Sequence, residues 1–183
     1  MNHKDWYSAQ SLKQLLEDYD YDRKQYQPLL SVQSLTQGLE MLNPNFSVEL
    51  LQLSENFLPN YDNSLAEQLL HGQRCFSRRV ILKLDNIPVI WAESLCDIDS
   101  FFWRNYLNCG TQSLGRKLFS GNMIDRTEFS YKMFDLESLP FELPESSYGF
   151  KSLIARQSTF IYQGENLCLT EWYLPNLRRF FSD

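Results

Sequence analysis

A carboxylate set among apolar side chains is the chain's most pointed chemical feature. Glu171 lies in Asn166-Leu167-Cys168-Leu169-Thr170-Glu171-Trp172-Tyr173-Leu174-Pro175. That stretch is rich in aliphatic, aromatic and Thr residues and predicts a β-strand. Side chains alternate along a strand, so Leu167, Leu169, Glu171 and Tyr173 share one face, and Cys168, Thr170, Trp172 and Leu174 the other. Both faces are apolar, which predicts a central strand covered on both sides. An isolated buried carboxylate is costly. Glu171 therefore requires a cation, protonation or a ligand.

A cation comes from Cys75-Phe76-Ser77-Arg78-Arg79-Val80-Ile81-Leu82-Lys83-Leu84. Phe76, Arg78, Val80, Leu82 and Leu84 form one strand face; Ser77, Arg79, Ile81, Lys83 and Asp85 form the other. Arg78 is thus on the apolar face and Arg79 on the wet one. An inward Arg78 and an inward Glu171 would face one cavity. The pattern admits two readings, a structural ion pair and a ligand site.

Composition narrows the classes. The chain has 183 residues, 43% hydrophobic and 22% charged, which suits one domain with a sizeable core. The net charge of -6 comes without a basic stripe, which argues against nucleic acid as the main partner. A few Arg residues in a cleft would still serve an anionic small molecule. Cys75, Cys96, Cys109 and Cys168 are dispersed and only two histidines occur, His3 and His71, so neither a zinc site nor a disulfide framework is expected. The absence of an apolar leader or a membrane-length run predicts a cytoplasmic protein without a membrane span.

The elements that would position Glu171 and Arg78 follow in order. Leu12, Leu15 and Leu16 fit one face of a short helix with Ser8 or Ser11 as cap, broken over Asp18 to Asp22. Ser34-Leu35-Thr36-Gln37 is a capping box opening a helix that Asn43-Pro44 stops. Phe46 to Leu53 alternates as a strand, Pro59 to Asn63 is a loop, and Leu65 to Leu70 is a short helix. Phe76 to Leu84 and Pro88 to Ala92 form a hairpin about Asp85-Asn86. Asp97 or Asp99 is expected to cap a helix bearing Ile98, Phe102, Tyr106 and Leu107. Gly110 and Gly115 bracket a polar loop able to offer N–H groups to an anion, or serving turn geometry alone. Ile124 to Phe134 reads as one strand. Asp135 to Tyr148 reads as an acidic surface loop, a solvated connection or a lid. Phe150 to Tyr162 hairpins with the Glu171 strand, putting Arg156 on the face of Ile154, Ser158 and Phe160. Hairpins with inserted helices indicate an α+β fold in a single domain. Residues 1–33 are an N-terminal helical and irregular extension, 34–175 the domain proper, and 176–183 a basic, aromatic tail.

Five segments, in order, resemble the chorismate pyruvate-lyase (4-hydroxybenzoate synthase) family. They are Ser34-Leu35-Thr36, Arg78-Arg79-Val80-Ile81-Leu82 with Asp85-Asn86-Ile87-Pro88, Leu114-Gly115-Arg116-Lys117-Leu118-Phe119, Ala155-Arg156-Gln157-Ser158, and Leu169-Thr170-Glu171-Trp172-Tyr173-Leu174-Pro175. The resemblance implies an antiparallel β-sheet flanked by helices enclosing a ligand cavity. It also implies conversion of chorismate to 4-hydroxybenzoate and pyruvate for ubiquinone or plastoquinone biosynthesis, with no cofactor, by a monomer. Carried over motif by motif, Arg78 would hold the ring carboxylate, the Leu114 backbone would assist, Glu171 would meet the ring hydroxyl, and Leu35 would give an apolar contact. Arg156 would hold the enolpyruvyl carboxylate or support the sheet. One departure stands out: Ala92-Glu93-Ser94 replaces the Ala-Arg-Ser or Ala-Arg-Thr common in the family. The rival class is a non-catalytic module that binds small aromatic acids, like the effector domains of bacterial transcription regulators. Those carry a separate helix-turn-helix region, for which the first 33 residues are too short and too acidic.

Overall fold

The computed structural model describes residues 6–18, 28–59, 64–118, 123–143 and 151–181. Expectations for residues 19–22, 60–63 and 144–148, and for His3 and Phe119, fall outside them. Hairpins dominate because turn residues suit them. Asp85 and Asn86 (φ 49° and 63°), and Gln163 and Gly164 (φ 49° and 84°), take the left-handed backbone of tight two-residue turns. The first joins β3 (Arg74–Leu84) to β4 (Ile87–Asp97), and the second joins β7 (Ser152–Tyr162) to β8 (Glu165–Tyr173). With β1 (Tyr7–Ser8), β2 (Phe46–Phe57), β5 (Asp125–Arg126) and β6 (Ser130–Asp135) they make one antiparallel sheet of eight strands. Its order is β1-β6-β7-β8-β4-β3-β2, with β5 paired to β7.

The α+β expectation holds, and β8 is central, between β7 and β4. At the edge, β2 alternates half-buried and exposed residues until a bulge at Leu51. The extra residue shifts the phase, so Val48, Leu50 and Leu53 sit opposite Leu82, Val80 and Arg78 on one face.

That face is covered by α1 (Leu12–Asp18), a helical turn at residues 28–31, and α2 (Leu35–Leu42). Leu12, Leu15, Leu16, Leu29, Leu30, Leu35 and Leu39 join Val80, Leu82, Ala92 and Ile154 in the main core. Ser34 caps α2 by accepting from Gln37 N–H, as the capping box predicts. Ser8 makes no side-chain cap; a 3-10 turn, Ala9–Ser11, leads into α1 instead. Between β3 and the first half of the chain lies α3 (Ser64–Leu69); α4 (Phe101–Leu107) and α5 (Leu114–Leu118) follow β4.

Two expectations are corrected. Ser100, not Asp97 or Asp99, caps α4, accepting from Trp103 N–H at 3.1 Å. Asp97 still belongs to β4 and accepts from the backbone and ring of His71. Ile124 to Phe134 is two short strands: Arg126 sits opposite Phe160 but Ser130 opposite Gln157, so one extra residue lies between them. The C-terminal segment packs on the domain. Pro175–Phe180 is a 3-10 helix with Pro175, Asn176 and Leu177 buried.

Leu177 is fully enclosed in the main core. Leu177→Ala should therefore lower unfolding stability by ~2–5 kcal/mol in urea titration at an unchanged m-value. A loss within experimental error would show that this helix is peripheral.

Candidate active site

The sheet's covered face and its helical roof border a cavity. The floor is read from the register. One row runs Val80, Ala92, Glu171, Arg156, Tyr131; the next runs Arg78, Ser94, Leu169, Ser158. Directly opposite residues share a face, so Arg78, Glu171 and Arg156 all point into the cavity, and all three line it. Arg78 and Glu171 stand two strands and two residues apart, ~12 Å between Cα atoms.

Arg156, not Arg78, is the direct partner of Glu171. The two are cross-strand neighbours, with Arg156 Nε 2.5 Å from Glu171 Oε2. Arg156 Nη1 points at the carbonyls of Leu29, Leu30 and Val32 (3.2, 3.2 and 2.7 Å). Tyr131 and Tyr173 donate to the carbonyls of Leu30 and Leu29. The carbonyl end of the 28–31 turn is thereby satisfied by side chains rising from the sheet. Burial pulls the Arg156 guanidinium's pKa down, but the Glu171 charge and hydrogen bond help leave it above its ordinary value.

Arg78 is held differently. Its Nη2 donates to the carbonyls of Gly110 and Gln112, each at 3.0 Å, and its buried Nε has no hydrogen-bond partner. Burial lowers its pKa, but a guanidinium keeps its charge at neutral pH. A fixed cation with an unmet buried donor suits a carboxylate.

The roof comes from α2 and α5. Leu35 and Leu114 both line the cavity. Thr36 Oγ1 and Ser113 Oγ lie 2.6 Å apart, buried. A Cβ on Gly115 would meet Thr36 Oγ1 at 2.7 Å, so only glycine permits this approach. Arg116 pairs with Glu40 outside. Tyr106 O–H donates to the Lys117 carbonyl at 2.6 Å, fixing α5 to α4.

The structure therefore gathers all five sequence-derived residues, Leu35, Arg78, Leu114, Arg156 and Glu171, around one cavity. It adds Arg126 and Phe129, which the sequence reading had not singled out. On one continuous strand, residues three apart face opposite ways. The extra residue after Arg126 turns both inward, with Arg126 Cζ 4.1 Å and Arg156 Cζ 4.2 Å from the Phe129 ring centre.

A cavity lined by cations and apolar side chains on an antiparallel sheet marks an α+β domain with an internal pocket. Residues 14–182 match the chorismate lyase family, to which the chain belongs. A probable chorismate pyruvate-lyase of Nitrosomonas europaea is 33% identical over 58% of this chain and 62% of its own length, so that match spans less than two thirds of the relative. One of Methylobacillus flagellatus is 28% identical over 84% of this chain and 89% of its own, and one of Shewanella loihica 31% over 82% and 79%. The crystal structure of PhnF from Mycobacterium smegmatis shares the fold at TM-score 0.51 and 12% identity, covering 96% of this chain and 90% of that one.

Two expectations test this geometry. Arg156→Gln removes the cation beside buried Glu171 and should cost ~3–5 kcal/mol of stability. Adding Glu171→Gln should restore part of that loss in a double-mutant cycle, whereas strictly additive losses would deny the coupling. Burial also pushes the thiols up, Cys75 to about 11 and Cys96 and Cys168 to about 12, while Cys109 is half-exposed beside the loop that holds Arg78. Ellman's reagent should thus titrate Cys109 quickly in the native protein and the other three only in denaturant. A Cys109→Ser chain that still reacts quickly would contradict this.

Proposed function

We propose that the protein is a chorismate pyruvate-lyase, releasing pyruvate from chorismate to leave 4-hydroxybenzoate, a precursor for quinone biosynthesis. One observation carries the reading. A single cavity presents Arg78, with an unmet buried Nε, across the sheet from a carboxylate braced by its own cation, Arg156. Membership of the chorismate lyase family supports it.

In this reading the ring carboxylate takes Arg78, assisted by the backbone at Leu114, and Leu35 packs on the ring. Glu171 accepts the hydrogen bond of the ring hydroxyl and stands beside the adjacent C–H. The ring C–H proton departs, and its electron pair becomes a ring π-bond. The neighbouring C–O bond breaks, and enolpyruvate leaves, taking a proton to become pyruvate. The ring is aromatic at the end, so aromatisation supplies the driving force. Substrate and products balance without oxidant or reductant, and the reaction as written calls for no redox cofactor. The protein's part is to orient the ring and place charge. Arg156 holds and aims Glu171. It acts on the substrate through Glu171 in this scheme.

The test is a stopped assay of the purified protein with chorismate, measuring pyruvate and 4-hydroxybenzoate together. Equimolar products are expected. Glu171→Gln should lower kcat by ~10²–10⁴-fold if it takes the proton. Arg78→Ala should chiefly raise KM and weaken 4-hydroxybenzoate binding. Tight 4-hydroxybenzoate binding without turnover by well-folded wild type would instead identify a binding module.

A further inference from the structure

Among the described residues lining the cavity are three guanidiniums, Arg78, Arg126 and Arg156, and one carboxylate, Glu171. The lining thus carries two more positive than negative charges, inside a chain whose net charge is -6. Charge in a low-dielectric cavity is costly unless compensated. A ligand returning two negative charges is the complement.

The three cations are not equivalent. Arg156 is committed to Glu171 and to three backbone carbonyls. Arg78 holds one wall, on β3. Arg126 holds the other. It sits opposite Phe160 on β7, hence on the cavity face, four strand intervals or ~19 Å from β3 along the sheet. Gln33 aims it: Arg126 Nη1 donates to the Gln33 carbonyl at 2.7 Å and Nη2 to its Oε1 at 2.5 Å. Phe129, against which both Arg126 and Arg156 lie, places Arg126 on the Glu171 side of the cavity.

We propose that Arg126 forms a second carboxylate subsite, so that the cavity selects cyclic dicarboxylates: one carboxylate at Arg78, the other on an ether substituent beside the group that Glu171 engages. This deepens the lyase reading and rests on it for the ring orientation. It gives the enolpyruvyl carboxylate to Arg126 rather than Arg156. A monocarboxylate product lacks that group, so Arg126 separates substrate from product, whereas Arg78 serves both.

Equilibrium binding tests it with the full chain and two unreactive probes, 4-hydroxybenzoate and the dicarboxylate 3-(1-carboxyvinyloxy)benzoate. Arg126→Gln should weaken the dicarboxylate by ~10-fold or more and change 4-hydroxybenzoate by less than about twofold, the scale of one charge-assisted contact. Arg126→Lys should recover part of the loss, and thermal melting should show both variants folded. Arg78→Gln should weaken both probes. Equal effects of Arg126→Gln on both probes, no effect on either, or a wild type that does not bind the dicarboxylate would overturn the proposal. Dicarboxylate selectivity without chorismate turnover would keep the subsite and remove the lyase. Turnover with no selective loss would do the reverse.

Discussion

The arrangement depends on one buried ion pair. Two charges removed from water lose several kcal/mol of hydration each, and attraction alone repays this only when the remaining donors and acceptors are also met. Arg156 and Glu171 meet that condition through register. They are opposite each other on β7 and β8, and the rest of the guanidinium is taken up by the carbonyls of residues 29, 30 and 32. Those carbonyls belong to the segment that leads into α2, one of the two helices of the roof. The pair is therefore satisfied only when that segment is docked, and the docked segment needs Arg156, Tyr131 and Tyr173 to satisfy its carbonyl end. Docking that segment and fixing the carboxylate in place are a single structural event.

Much of this was legible wherever strands are regular. Period two separates Arg78 from Arg79 and puts Glu171 inward, because β3 and β8 run without interruption through those residues. It fails at Arg126, where one extra residue resets the phase. No periodicity states which strands are neighbours, so the cation beside Glu171 was sought on β3 when it stands next door on β7. Ser100 lost its cap to Asp97 and Asp99 in the sequence reading for a related reason: Ser and Asp are comparable caps, and the choice falls on where β4 ends. The burial of Leu177 is likewise a tertiary fact, which no local pattern around Arg178 and Arg179 states.

The departure at Glu93 becomes intelligible in the same terms. Arg79 and Glu93 are opposite in the β3–β4 register, and Arg79 Nε lies 2.6 Å from the buried Glu93 carboxylate. Both point away from the cavity, while Ala92 and Ser94 on either side of Glu93 line it. The altered residue thus changes the sheet's reverse face and leaves the cavity floor as it was.

Arg78 and Arg156 show two ways of burying a guanidinium. Arg156 is neutralised by a carboxylate. Arg78 is anchored by the carbonyls of Gly110 and Gln112, which fix its position by their dipoles but bring no formal negative charge. Its own charge is therefore still available to an incoming anion, and its geometry is set before that anion arrives. Preorganised charge of this kind needs little rearrangement when ligand charge appears beside it, which is what makes it effective in a water-poor site. Arg78 Nε is buried and makes no hydrogen bond within the protein, a cost that an acceptor on a ligand would offset. A site that accepts this penalty is organised around an occupant, and the cations on its walls specify an anionic one.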